Sequence, residues 1–207
     1  MFNAELEILT YYYKHKENIH KQLVNFQNVP QSKYFYELCY CLCTPMSKAE
    51  NAQKVQTILE DADYFNNDLD ITKILRDSGN YIRFHNQKSK YIENIKINYQ
   101  EILPIIISPE SNFEKREKLV KFVSGMGYKE ASHFLRNIGF FGLAILDRHI
   151  LRNLGKYNII QEIPKSINFN KYIQLEHLFI NFAKSIGLSL EELDLTLWAK
   201  ETGFVLK

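Results

Sequence analysis

The sequence predicts an all-α protein. Apolar residues recur at helical spacing along most of the 207 residues. No segment alternates apolar and polar residues between turn signals, as a half-buried strand would. Eight Gly and five Pro are few for the many turns of an all-β chain. With 45% hydrophobic and 24% charged residues, the chain falls outside the disordered, collagen-like and low-complexity classes. Residues 1–207 read as one unit of two packed helical halves, long enough to bury a core.

The elements follow in order. A first helix fits roughly residues 4–27, with Leu6, Leu9, Tyr13, Ile19, Leu23 and Phe26 among its apolar positions. Tyr11, Tyr12, Tyr13 and Phe26 read as core and helix–helix packing. Pro30 follows, and Ser32 can cap a second helix through about Cys43. Ser47 can cap a third, to about Glu60. Further helices are expected over about 71–78, 87–102, 111–123, 128–137, 147–155, 172–186 and 189–201. Ser189 and Glu192 form a capping box for the last. Pro104 and Pro109 bracket an expected turn or linker, and Asn158 to Asn170, with Pro164, reads as a loop.

The net charge of +2 does not announce a nucleic-acid binder, but its distribution is uneven. Nine basic residues and three acids lie between Lys115 and Lys156, while Glu60 to Asp70 holds five acids and no base. Such runs make either a basic binding face or merely solvated helix faces. Cys39, Cys41 and Cys43 are odd in number and lack zinc-site spacing, so no disulfide framework and no metal site are expected. On a helix, Cys39 and Cys43 share a face and suit a buried apolar role. Glu5 and Glu7 near the start argue against a secretory signal, and the longest apolar stretch, Ile138 to Leu146, is too short to span a bilayer. A soluble, intracellular monomer, cytoplasmic or nucleoid-associated, is expected.

The region from Leu119 to Ala131 carries the chemistry. It reads as helix, short turn, helix, with the whole hairpin over about 111–137. Gly125 and Gly127 allow unusual φ values in the turn, and Met126 between them can point inward as an apolar plug. The next helix would then open with free backbone N–H groups, which favour a phosphate. This is the physics of a sequence-independent grip on a DNA backbone. A simple structural turn is the alternative.

Lys129 follows Gly127 by two residues, at the start of that helix. The positive end of the helix dipole favours its neutral, nucleophilic amine. Eighteen residues on, past the glycine-containing apolar stretch, comes Asp147. A carboxylate there can cap the next helix and still offer an oxygen to a reacting group.

These residues resemble a family. The hairpin, the lysine after its second glycine, and then Asp147, His149, Ile150 and Arg152 look like the helix-hairpin-helix DNA glycosylases. Upstream, Cys43 to Ala49 sits where that superfamily starts its helix beside the DNA. Phe84 to Ser89 resembles the aromatic-x-x-x-Lys-Ala element whose wedge residues enter the duplex. The resemblance covers about residues 35–155. Within the superfamily the lysine marks a bifunctional enzyme. A short chain with a terminal lysine, here Trp198 to Lys207, is similar to the archaeal-type second family of 8-oxoguanine DNA glycosylases. Two departures stand out. The loop before Asp147 lacks the superfamily's common proline, and the cluster cysteines of endonuclease III relatives are absent. No iron–sulfur cluster is expected, and the hairpin carbonyls leave a monovalent cation as an open question.

The resemblance implies a site in the cleft between the halves and duplex DNA containing 8-oxoguanine as partner. It implies that Lys129 attacks C1′ of a flipped nucleotide, that Asp147 stabilises positive charge on the sugar, and that a Schiff base leads to β-elimination. Lys207, through its carboxylate, would accept from N7–H of 8-oxoguanine, a donor that guanine lacks. Trp198 is a stacking surface for the base or a core anchor. Phe84 and His85 either fill the gap in the duplex or pack ordinarily. Arg148 and Arg152 would contact phosphate or surface carboxylates, and Lys121 and Arg136 could add phosphate contacts. His149 reads as structural. A catalytically silent hairpin module, or a glycosylase for another oxidised base, are the alternatives.

Overall fold

In the computed structural model, which describes residues 2–203, 205 and 207, the helical periodicity resolves into eleven α-helices and, among the described residues, no strand. They are α1 (Phe2–Gln27), α2 (Tyr34–Cys43), α3 (Ala49–Asp61), α4 (Ile71–Arg76), α5 (His85–Ile97), α6 (Tyr99–Ile107), α7 (Asn112–Phe122), α8 (Tyr128–Asn137), α9 (Arg148–Lys156), α10 (Phe169–Ser185) and α11 (Leu190–Thr202). The chain divides into two units. A hairpin unit comprises Val29–Phe134, and a terminal unit comprises Met1–Asn28 with Leu135–Lys207. The division falls inside α8. None of the described helices is long and apolar enough to cross a membrane.

The hairpin unit is built around α2, whose residues Phe35 to Cys43 are all buried. It packs on α3 and α5, while α4 lies on α5, α5 on α6, and α6 on α7. Phe35 is the hub of an aromatic cluster. Tyr36, Phe65 and Tyr99 meet it edge-on at 5.2, 5.1 and 5.4 Å between centroids. Because α2 is covered on every side, all three cysteines are core residues, as the shared face of Cys39 and Cys43 suggests for those two. Burial pushes the Cys39 thiol well up and the Cys43 thiol up to about 12.

In the terminal unit α11 is the central helix, packed by α1, α9 and α10. The Ser189–Glu192 capping box starts it, and Gly203 in a left-handed conformation ends it. Glu192 also accepts from Tyr12 Oη (2.5 Å) and lies 2.8 Å from His20 Nε2, which ties α1 to α11. Lys200 on α11 reaches Glu7 of α1 and donates to Tyr157 Oη at 2.8 Å.

Several local expectations are corrected. The buried stripe of α1 is Ile8, Tyr12, Ile19 and Phe26, while Leu6 and Tyr13 are 62% and 66% exposed. A helix this rich in apolar residues offers two phases, and packing on α11 selects one. Ser32 lies in a short 3₁₀ turn (Gln31–Lys33), so Lys33 stands at the N-cap of α2 without a side-chain bond. Lys48, not Ser47, precedes α3, because the Ser47 hydroxyl is engaged elsewhere. The segment 87–102 is two helices that break at Asn98, whose side chain donates to Asn94 O at 2.9 Å. Pro104 lies inside α6, where its missing N–H would have served the exposed Gln100.

Phe35→Ala removes the hub of the aromatic cluster. It is expected to lower unfolding stability by about 3–5 kcal/mol, measured by urea titration of the purified protein.

Candidate active site

The hairpin is built by side chains on both of its helices. A capping box opens α7: Ser111 Oγ accepts from Glu114 N–H and Glu114 accepts from Ser111 N–H (2.9 Å). After α7 the chain closes a turn in which Met126 N–H donates to Val123 O at 3.2 Å. Val123 and Met126 are buried, so Met126 is the inward plug its spacing suggests. Gly125 has φ +82°, and a Cβ there would lie 2.2 Å from the Tyr91 ring. Both the conformation and the space demand glycine. The fully buried Arg116 of α7 donates to Ser132 of α8 at 3.1 Å and faces the rings of Phe113 and Tyr128 at 5.3 and 5.5 Å. Tyr128 donates to Glu117 at 2.9 Å, so it braces the hairpin.

One expectation about the anion site changes. The Gly127 N–H donates to Glu130 Oε2 at 3.2 Å, so it is engaged within the chain by the first-turn carboxylate of α8. A carboxylate satisfies an orphan helix donor as a phosphate would. The next residue but one after Gly127 is Lys129, with its side chain 22% exposed and its ammonium 3.8 Å from Glu130 Oε1.

In the same unit a second lysine is deeply buried. Lys88 of α5 donates to Cys43 O (2.8 Å), Pro45 O (2.5 Å) and Ser47 Oγ (3.3 Å). Burial pushes its ammonium down to about 8, the Lys129 charge acts in the same direction, and the Glu130 carboxylate opposes it. Before Lys88, the two candidate wedge residues separate. Phe84 has φ +61° and projects, 56% exposed, with the Arg83 guanidinium 5.0 Å from its ring. His85 is half-buried and meets Tyr81 edge-on at 5.7 Å.

In the terminal unit, the segment before Asp147 is held without a proline. Gly142 N–H donates to Glu191 at 2.6 Å, and Ala144 N–H donates to Glu176 at 2.8 Å. Tyr172 Oη donates to Ala144 O at 2.7 Å. The chain then delivers Asp147 to the N-cap of α9, where Oδ1 accepts from Ile150 N–H at 2.8 Å and Oδ2 takes no part in the cap. Arg148, first in α9, is exposed. His149 Nδ1 sits 3.0 Å from Arg152 and 3.7 Å from Glu201, a surface cluster at the open face of that helix. Arg136 is buried over Phe26 (4.5 Å), with Asp194 at 4.0 Å, and so is withdrawn from phosphate contact. Trp198 and Lys207 are each half-buried. Lys129 thus belongs to the hairpin unit, and Asp147, Arg148, Trp198 and Lys207 to the terminal unit.

Sequence reasoning missed Glu176 and the buried role of Lys88, which it reads only as part of the Phe84–Ser89 resemblance. Glu176 shares the core face of α10 with Tyr172, Leu175 and Phe179, and Lys88 shares that of α5 with Ile92 and Ile95. A charge on a core face was the available signal, since such a group is buried only with partners.

The model of the family described as 8-oxoguanine DNA glycosylase matches residues 17–188. The chain belongs to this family. An 8-oxoguanine DNA glycosylase/AP lyase of Methanocaldococcus jannaschii is 37% identical over 187 residues, covering 90% of this chain and 89% of that protein. One of Fusobacterium nucleatum is 37% identical over 211 residues, covering 97% and 96%. The crystal structure of the M. jannaschii 8-oxoguanine glycosylase/lyase in complex with a 15mer DNA containing 8-oxoguanine matches with a TM-score of 0.87 and 33% identity, over 100% of both chains.

Gly125→Ala adds a Cβ to a left-handed residue against Tyr91. It is expected to cost at least about 1–2 kcal/mol from the backbone alone, and more while the ring is present. The same substitution in a Tyr91→Ala background should cost measurably less, which a double-mutant cycle of urea midpoints reads directly.

Proposed function

We propose that this glycosylase excises 8-oxoguanine from duplex DNA with Lys129 as its nucleophile, and that the same lysine drives AP lyase cleavage. The observation that carries the reading is the placement of Lys129. It stands second in α8, directly after the Gly125 turn, in a chain of the 8-oxoguanine DNA glycosylase family. The enzyme is a DNA N-glycosylase and AP lyase, as its relatives' names state of them.

C1′ is inaccessible in a stacked duplex, so the nucleotide must be flipped out. The Lys129 amine bonds to C1′ while the bond to N9 breaks and the base departs with a proton. Asp147 stabilises the positive charge that grows on the sugar, and its Oδ2 lies outside the α9 cap. The sugar ring opens to an imine with Lys129. Loss of the C2′ proton then expels the 3′ phosphate by β-elimination. The Gly125–Gly127 turn holds the duplex backbone, Arg148 contacts phosphate, and Phe84 enters the stack. His85, packed on Tyr81, is the second candidate at the gap in the duplex. Trp198 and Lys207 line the base pocket, with a Lys207 oxygen accepting from N7–H.

The reaction needs no cofactor. The one ion this reading admits is a monovalent cation on the hairpin carbonyls. Val123 O already accepts from Met126 N–H, so such an ion would add to a closed turn and take no part in the chemistry. The partner is duplex DNA inside the cell, bound by a monomer.

Borohydride trapping on duplexes carrying 8-oxoguanine, thymine glycol or undamaged guanine tests the reading. A covalent adduct is expected with 8-oxoguanine and the wild-type chain, and none with Lys129→Gln, which should keep duplex binding. Excision by Lys129→Gln at the normal rate would remove the lysine from the mechanism. Adducts on thymine glycol alone would move the substrate, and salt-sensitive binding without any adduct would leave a silent binding module.

Asp147→Asn keeps an oxygen for the Ile150 N–H but loses the charge. A slowing of about 10²-fold or more in single-turnover excision is expected, with little change in binding. An unchanged rate would take away its electrostatic role.

A further inference from the structure

Two exposed apolar side chains in the hairpin unit occupy a backbone region that non-glycine residues avoid. Met46 has φ +59° and is 53% exposed, and Phe84 has φ +61°. Each such residue is strained and persists where its surroundings over-determine it. Strained tips that expose apolar groups to water add nothing to the core.

Both tips are fixed through one residue. The backbone N–H of Lys88 donates to Phe84 O at 3.0 Å, which closes the first turn of α5 behind that ring. Its side chain runs back into the protein, with only 5% of the residue exposed, and the ammonium binds oxygens on both sides of Met46: Cys43 O, Pro45 O and Ser47 Oγ. Cys43 is the last residue of α2, where carbonyls lack donors and the helix dipole favours a cation. Ser47 completes the circuit, since its Oγ also accepts from Arg83 N–H at 3.0 Å, one residue before Phe84. All three acceptors of the ammonium are neutral oxygens. A cation buried against neutral acceptors is a costly way to fill space, so its contribution is the geometry it imposes.

We propose that Lys88 is a positioning residue that sets Met46 and Phe84 as a two-pronged apolar wedge, so that both prongs enter the duplex together and the damaged nucleotide can leave the stack. This rests on the glycosylase reading above. Unstacking base steps by apolar side chains kinks a duplex and opens room for a flipped base. A prong that wavered by an ångström would lose the coupling between insertion and flipping.

The test separates grip from flipping. The background is Lys129→Gln, which halts chemistry, and the probe is a duplex with 8-oxoguanine opposite cytosine and 2-aminopurine beside the lesion. Lys88→Met, Met46→Ala and Phe84→Ala are each added. For Lys88→Met, affinity for undamaged duplex should stay within about threefold, because the hairpin turn is distant in sequence and untouched. The 2-aminopurine fluorescence rise on binding should fall at least about tenfold in all three. Met46→Ala should bring no further loss once Lys88→Met is present.

Full fluorescence with Lys88→Met overturns the inference, as does full fluorescence with Met46→Ala. Should Lys88→Met fail to fold, Ser47→Ala removes the oxygen shared by Lys88 and Arg83 and should still weaken the rise about threefold or more, whereas no change overturns the inference. Failure of the glycosylase reading is seen separately, as absence of a borohydride adduct with the wild-type chain on the same duplex.

Discussion

Backbone N–H and C=O groups buried between helices must find partners, and a helical protein has no sheet to supply them. Here that obligation falls on a few polar side chains that reach out of helix core faces. Glu176 and Tyr172 of α10 take the N–H and C=O of Ala144, and Glu191 of α11 takes the N–H of Gly142. Lys88 of α5 holds the carbonyls after α2, and Asn80 donates to Ile74 O at the end of α4. Each is a buried group with a large desolvation cost, so each segment has few alternative conformations at comparable energy.

The residues assigned to chemistry lie beside these held segments. Asp147 comes three residues after Ala144, and its carboxylate begins α9. Lys129 comes just after a turn closed by Val123 and Met126 and braced by Arg116. In both cases a helix start carries the proposed reactive group, and the rigidity comes from the segment before it. Reactive groups on regular elements are placed more closely than groups on free loops.

Much of this was legible in the sequence, and the reasons differ by scale. Helix existence followed from periodicity, and the Ser189–Glu192 box and the Asp147 cap followed from local chemistry that needs no tertiary partner. The Gly125 turn was legible because glycine between two helices has few other uses. The phase of α1 was not, since both its faces carry apolar residues and only α11 decides between them. The role of Ser47 was hidden for a similar reason. As a cap it would have bonded two or three residues ahead, but its partners are Arg83 and Lys88, far along the chain. Glu130 on Gly127 is readable from spacing alone, as an acid three residues after the glycine that precedes a helix, where the sequence reading places a phosphate.

The burial of α2 has a further consequence, for the life of the protein under oxidative stress. 8-Oxoguanine is itself a product of oxidation, so conditions that create work for the enzyme also attack sulfur. Thiolates at the surface would be the first casualties, and Cys39, Cys41 and Cys43 are none of these: all three are buried, and burial keeps the Cys39 and Cys43 thiols protonated. Met126 is shielded under the hairpin. Among the described residues, the sulfur left within reach of peroxide is that of Met46, where sulfoxide formation would turn an apolar tip polar without disturbing the core.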